Sequence, residues 1–452
     1  MPAALLPTVS HLREWYLRYA IMMRMDSTLP AKAESGQILF LDAGDLIQSL
    51  RQRDHVPAIQ RVAIELILAL IDHHGDRVEL CRMNLLRTRL EPVDAEKFKA
   101  EFDRLISTAR SRNLFSAAAW RVGNAVRRYA LYGKDIVHDV FSAGRWGTRA
   151  SNAVLLNFSD SLLVSGYSNR LMQFKQAYAL KFGVLVHDII PVTHPAFVHL
   201  PGYEEKFTAW LKAIIGTSDV VFVASRYNRA ELMRWTERVD MRHSAVEVLP
   251  FGSGFSTQHV QAAPGRFPAL PERFVLFVST IQIRKNHALL FQVWKTLIER
   301  HGGGAIPDLV FVGRVGWKVD GLMEQLKASN YLNGKIRVIS GLSDTEVGEA
   351  YRRCLFTVFP SFCEGWGLPV AESLVHGKVC LASNGGAIPE VGGPLVTYFD
   401  PGDVEDAYKK LERAILDTEE RANRTVEIQR QFEPTTWADC ANAVIVAVDR
   451  MP

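Results

Sequence analysis

The sequence predicts an α/β protein with two parallel sheets, because apolar runs of strand length alternate with helical stretches in two successive series along the chain. Strands covered on both faces read as unbroken apolar runs, and such runs recur here. In the first series, residues 37–42 (QILFLD) form one run and residues 59–73 (IQRVAIELILALIDH) an amphipathic helix. Further buried strands are expected at 153–157, 182–187 and 220–224, each followed by a helical segment. In the second series, strands at 274–279, 309–312, 336–339, 356–359 and 379–382 alternate with helices around 287–300, 321–328, 344–352 and 369–376. Residues 252–271, rich in Gly, Ser, Pro and Ala and without periodicity, read as the linker between the series. The expected organisation is an extension over 1–36, a Rossmann-like domain over 37–255, a second over 256–430 and a final segment over 431–452. Two such sheets face each other across a cleft at their strand C-terminal edges, where ligands of parallel sheets bind.

Composition narrows the function classes. Hydrophobic residues make up 48% and charged residues 23%, the balance of a folded protein. A net charge of +4 is too small to imply nucleic-acid binding. Between Arg104 and Lys134 the chain holds basic residues and no acid. That stretch reads as a helix, either a solvated face or a cationic surface for anionic lipid or a lipid-diphosphate acceptor. In the extension, Leu12, Trp15, Tyr16, Tyr19 and Met23 fall near one helical face. The five cysteines are scattered and never form a Cys-x-x-Cys pair, which fits a reducing cytoplasm better than a disulfide framework or structural zinc. No apolar run approaches the roughly 18 residues that span a bilayer, and no signal sequence opens the chain, so membrane association is expected to be peripheral, at the inner face.

The most informative string is SFCEGWGLPVAESLVHGK, residues 361–378. A strand runs into a loop with Gly365 and Gly367, and Pro369 then opens a short helix. Free N–H groups and the dipole at such a helix start stabilise a phosphate, and glycines let it approach the backbone. Glu364 sits at the loop's mouth and Glu372 is placed in the first helical turn. The structural alternative is a tight turn with Glu372 favouring the helix dipole. Upstream, VLFVSTIQIRKNH ends a strand with Arg284 and Lys285, two cations at a sheet edge that suit a diphosphate. In LVHDIIPVTHP, His187 closes another strand; a lone histidine there is more often structural than catalytic.

Glu364 and Glu372 resemble the Glu-x7-Glu motif of retaining GT-B glycosyltransferases, and the residues between them the EGFGLPxxEA pattern of glycosyltransferase family 4, with Trp366 in place of the common Phe and Ser373 of the common Ala. The resemblance implies the GT-B fold, two Rossmann-like domains facing across a cleft. It puts Glu364 beside the transferred sugar and Glu372 on the nucleotide ribose, with Gly365, Trp366, Gly367 and Leu368 along the donor. The RKN string resembles the family's phosphate clamp and assigns Lys285 and Arg284 to the diphosphate, although Ser279 and Thr280 stand where many members have Gly-Arg. Thr280 and Gly341 join the expected donor contacts; Gly341 lies in IRVISGL, which resembles the element that frames the nucleobase. The segment NGGAIPE resembles the family's Gly-rich turn and reads equally as a plain strand-to-helix turn. In the first half, HDIIPVTHP resembles the HDxxPxxHP segment of mannosyl- and rhamnosyltransferase-like members, where the histidine faces the donor sugar. VFVASRYNRAEL and VLPFG resemble further family steps, AIQRV the acceptor-side loop with Ala58 for its glycine, and Trp437 with the last helix the helix that crosses back to the first domain.

The resemblance therefore implies a retaining hexosyltransferase, with mannose from GDP-mannose the favoured donor. Its acceptor would be a glycan or a polyprenyl-diphosphate-linked glycan in surface polysaccharide assembly. The roles implied are Lys285 and Arg284 on the leaving diphosphate, and Glu364 and His187 on the sugar. The scheme needs no cofactor and no metal, and no Asp-x-Asp pair occurs in the sequence. The rival readings are a nucleotide-sugar 2-epimerase on the same fold and an inactive GT-B scaffold; a glycosidase is disfavoured because only one acid is placed at the sugar.

Overall fold

A computed structural model describes residues 37–47, 57–84, 89–108, 153–164, 166–254 and 270–451. Within them the chain builds two open sheets. The first holds β1 (Leu39–Asp42), β2 (Val78–Asn84), β3 (Arg89–Pro92), β4 (Val154–Asn157), β5 (Lys181–Val186), β6 (Val220–Val223) and β7 (Ala245–Val248), in the order β3-β2-β1-β4-β5-β6-β7. The second holds β8 (Phe274–Val278), β9 (Asp308–Val312), β10 (Ile336–Ile339), β11 (Thr357–Phe359), β12 (Cys380–Ser383) and β13 (Thr397–Phe399), in the order β10-β9-β8-β11-β12-β13. Every pairing is parallel except β2 with β3. In each sheet the chain first winds one way and then returns to continue on the other side, leaving a switch point between β1 and β4 and another between β8 and β11. Crevices open at such points, beyond the strand C-termini.

Burial explains why these segments pair. All four residues of β1, β4 and β6 are buried. One face of the first sheet packs Leu39, Leu41 and Leu156 against the helix Ala58–His74, and the other packs Phe40, Leu155 and Phe182 against the helices Tyr167–Tyr178 and Tyr203–Thr217. The second sheet is covered likewise, with Trp294 of the helix His287–His301 fully buried on one side and Tyr351 on the other. The antiparallel β2–β3 pair was not expected. Arg82 lies opposite Glu91 in its register and the two form an ion pair of 3.0 Å, so charges interrupt the apolar run that marks the inner strands.

The last helix, Trp437–Asp449, belongs to the first core: Cys440, Ala441, Val444, Ile445 and Val448 pack beside the helix Ala58–His74. Its start is fixed by a capping box between Thr436 and Asp439 and by the Trp437 indole, which donates to the Gly254 carbonyl at 2.8 Å. A Cβ on Gly252 would lie 2.7 Å from that indole, so the turn leaving β7 needs glycine there.

The extension 1–36 and most of the linker 252–271 lie outside the described residues, as does the basic stretch 104–134 beyond Thr108. Among the described residues no helix is long and apolar enough to cross a membrane.

Candidate active site

At the switch point of the second sheet, β8 leads into a single helical turn, Ile283–Lys285, before the helix His287–His301. Asn286 makes the turn possible: it adopts a left-handed φ of 54° and its amide donates to the Pro401 carbonyl at 2.9 Å. Beside it, the loop after β11 is held close by Phe362 N–H donating to the Arg284 carbonyl (2.9 Å) and by the Arg284 guanidinium donating to the Cys363 carbonyl (2.6 Å). These bonds bring three charges together. Glu364 receives Arg284 on one carboxylate oxygen and Lys285 on the other, both at 2.5 Å.

Burial alone would raise the Glu364 carboxyl, but the Arg284 and Lys285 cations outweigh it and hold it down at about 2. Burial lowers the Lys285 ammonium despite Glu364, and its Nζ lies 5.0 Å from the centre of the Phe359 ring. The trio carries a net +1 with its side chains only 9–17% exposed, so an anion arriving there meets two cations at the cost of displacing one carboxylate.

Gly385 and Gly386 of the NGG turn back this loop. A Cβ on the first would lie 2.3 Å from the Phe362 carbonyl oxygen, and on the second, at φ 65°, 2.4 Å from that of Glu364. The turn is thus a buttress for Glu364, and Ala387 N–H donates to the Glu364 carbonyl at 2.9 Å.

The helix that follows spans Leu368–Val375, with Gly367 at its N-cap (φ 138°) and Pro369 at its second position. Two expectations change. Proline stands one place further in than the sequence suggested, and Glu372 lies beyond the first turn, which holds no acid. Glu372 instead accepts a bond from the Tyr351 hydroxyl at 2.7 Å, and burial raises its carboxyl, with Arg61 opposing the rise. Trp366 and Leu368 turn their side chains to the first domain's core, where Trp366 meets Phe251 edge-on at 6.0 Å. Thr280 sits just beyond β8, its carbonyl bonded by the Ser279 hydroxyl at 2.9 Å. Gly341 lies in the loop beyond β10, exposed, at φ 79° and with open space around it.

From the first sheet, His187 at the end of β5 points Nε2 at the Phe158 carbonyl, 2.9 Å away. A carbonyl only accepts, so Nε2 carries the proton; burial lowers the imidazole to about 4, and the neutral ring keeps Nδ1 as an acceptor. Across the cleft a Cβ on Gly365 would lie 2.8 Å from both the His187 carbonyl oxygen and the Asp188 Cβ. The His187 strand end and the Glu364 loop are therefore in backbone contact. Asp188 adds a half-buried carboxyl that burial raises and Arg284 lowers. Sequence reasoning passed over Asp188, Tyr351, Asn228 and Glu390 as site residues, although the strings HDIIP, SRYN and NGGAIPE contain three of them. Among the described residues no cluster of three or more His, Cys, Asp or Glu is placed to hold a metal ion.

His287, two residues past Lys285, is a fully buried imidazole. It is wedged between the rings of Phe277 (4.4 Å) and Phe311 (4.7 Å), with no protein partner for either nitrogen, and burial, helped by Lys285, lowers it to about 3. A folded value below the ordinary 6.5 means that the unfolded chain holds the proton more tightly. This contribution is whole above pH 6.5 and is lost as pH falls towards 3, by at most about 1.4 kcal/mol per pH unit. His287→Leu is expected to stabilise the fold by about 1–2 kcal/mol at pH 7, since it removes two unsatisfied groups, and by more at pH 5. Urea melts at both pH values test this, and a variant less stable than wild type at both would refute it.

Comparison with known proteins adds to this geometry. A sucrose-phosphate synthase structure from Thermosynechococcus elongatus superposes with a TM-score of 0.56 at 16% identity, covering 92% of this chain and 99% of that one. The chain has the GT-B fold. Residues 266–432 match the family model described as glycosyl transferases group 1. The serotype-specific mannosyltransferase WbdA of Escherichia coli is 28% identical over 275 residues, 59% of this chain and 33% of its own length. The O-antigen chain mannosyltransferase B of the same species is 25% identical over 268 residues, 58% of this chain and 68% of its own. The chain spans about a third of the length of the WbdA relatives it matches. In this GT-B frame Arg284, Lys285 and Glu364 all lie inside the matched segment, whereas His187 comes from the other sheet.

Proposed function

We propose that the chain is a retaining hexosyltransferase that moves mannose from GDP-mannose to a glycan or a polyprenyl-diphosphate-linked glycan, at the inner face of the plasma membrane, in surface polysaccharide synthesis. The observation that carries the reading is the convergence of Arg284 and Lys285 on Glu364 at the crevice between β8 and β11. The similarity to mannosyltransferases supports the sugar and the polysaccharide setting.

In this reading the donor diphosphate takes the two cations from Glu364, and the freed carboxylate turns to the sugar. The bond between the anomeric carbon and the phosphate oxygen breaks and its electron pair stays on the diphosphate, where Arg284 and Lys285 stabilise the charge in a crevice that screens it poorly. The acceptor hydroxyl forms the new bond on the same face and gives its proton to the departing phosphate. His187, neutral, receives a sugar hydroxyl on Nδ1, and Glu372 takes the ribose. GDP-mannose is a substrate, so no resident cofactor enters.

A thermal-shift series with GDP, UDP, ADP and dTDP tests the donor. GDP at 100 times its dissociation constant is expected to add about 2.7 kcal/mol of stability, and the other three less. A response to UDP alone would overturn the GDP assignment, and no response to any of them would overturn the enzymatic reading.

A further inference from the structure

The helix Arg226–Arg238 of the first domain is capped from the second domain. Its N-cap, Ser225, satisfies two of the first amides, with its hydroxyl oxygen on Asn228 N–H (3.0 Å) and its carbonyl on Arg229 N–H (3.0 Å). The other two, Arg226 N–H (2.9 Å) and Tyr227 N–H (2.6 Å), donate to the two carboxylate oxygens of Glu390, 163 and 164 residues further on and beyond the NGG turn that backs Glu364. The orphan donors of this helix start are thus completed only when the two sheets are together. The Arg226 guanidinium also donates to Glu390 at 3.3 Å, and side chains of the same helix start make further contacts. Ser225 Oγ donates to the Gly365 carbonyl at 3.0 Å, and the Tyr227 hydroxyl lies 3.6 Å from Cys363 Sγ. The Asn228 amide donates both to the Gly365 carbonyl (2.9 Å) and to the His187 carbonyl (2.8 Å).

We infer that Glu390 and the 225–228 helix start form a latch that sets the closed register of the cleft, and that Asn228 is a positioning residue tying the His187 strand end to the Glu364 loop. The catalytic consequence rests on the glycosyl-transfer reading; the latch itself does not. One carboxylate on two helix-start amides is a charge-assisted contact aligned with the helix dipole, and it exists only across the cleft. Asn228 adds no charge, but one planar amide spanning two carbonyls fixes their separation. The latch therefore stabilises the geometry in which both sheets reach the sugar and leaves the nucleotide's own cations untouched.

The test uses the full chain and the variants Glu390→Ala, Glu390→Gln and Asn228→Ala. Glu390→Ala is expected to lower kcat by about 10- to 100-fold while GDP affinity, measured by calorimetry, stays within about twofold. Glu390→Gln, whose amide oxygen still accepts one bond, should recover part of that loss. Asn228→Ala should lower kcat with little change in melting temperature. Independently of activity, hydrogen exchange in a peptide covering Arg226 and Tyr227 should quicken in Glu390→Ala, and small-angle scattering should show a larger radius of gyration. Wild-type kcat in Glu390→Ala together with unchanged exchange and scattering would overturn the latch. If the wild-type chain bound no nucleotide while exchange and scattering still responded, the latch would stand and the transfer reading would fall.

Discussion

Glu364→Gln is expected to lower turnover by roughly 10²–10³-fold while free GDP binds as tightly as to the wild-type chain or more tightly. The two effects separate because the proposed mechanism gives Glu364 two opposed roles. Without a donor its carboxylate pairs with both Arg284 and Lys285 at 2.5 Å, so any diphosphate must compete with it for the same cations. Glutamine keeps the shape and gives up the competition. With the donor in place, the charge that faces the forming oxocarbenium is missing, and the rate falls. Stability follows the same logic. Removing one partner from a buried ion pair costs about 3–5 kcal/mol because the other charges are stranded, so the ligand-free variant should melt earlier and gain more from GDP than the wild type does. Above pH 4.5 the wild-type carboxyl, held at about 2, stays ionised, so the contrast should persist across the working pH range. Steady-state kinetics, calorimetry with GDP and thermal melts with and without it measure all three effects. A variant that binds GDP tenfold more weakly would show that Glu364 supports the phosphate site rather than occupying it.

The sheets were legible in the sequence for a simple reason. Inner parallel strands are covered twice, and the runs at 39–41, 154–156 and 274–277 contain no polar residue. The edge hairpin was not legible, because Arg82 and Glu91 answer each other across β2 and β3 and break the apolar pattern on which the reading depends. At the site, Arg284, Lys285, Glu364 and Glu372 stood out through their resemblance to a family pattern. Composition alone would have left them a charged loop and a tight turn. Their mutual arrangement was beyond reach: nothing in RKN or CEG says that both cations close on one carboxylate. The cross-cleft contacts were hidden more completely. Glu390 reads as an ordinary acid in a short helical turn, and only the folded chain sets it against amides 163 and 164 residues earlier. The glycines of NGG likewise gain their meaning from the Phe362 and Glu364 carbonyls that press on them.

Gly365→Ala is expected to reduce kcat/KM by on the order of 10²-fold with only a small change in melting temperature. The added methyl would lie 2.8 Å from the His187 carbonyl oxygen, 2.8 Å from the Asp188 Cβ and 3.1 Å from the Asn228 amide nitrogen. Two of these neighbours belong to the end of β5 and its turn, where buried pairing with β4 and β6 leaves little room to yield. The sheets must then part, by about 0.5–1 Å if the methyl is to reach ordinary contact distance, and a misplacement near 1 Å between reacting groups costs about that factor in rate. Each sheet keeps its own core, so the loss should not be one of folding. Gly302→Ala, just past the helix His287–His301, supplies the control. Its φ of 77° strains an added side chain, but nothing lies within 4 Å of the new methyl, so it should cost about 1 kcal/mol of stability and leave turnover within a few-fold. Kinetics and thermal melts of the two variants together distinguish crowding at the cleft from backbone strain. Full activity in Gly365→Ala would mean that the sheets work further apart during turnover than they stand here, and that the contact between the His187 strand end and the Glu364 loop belongs to a resting state.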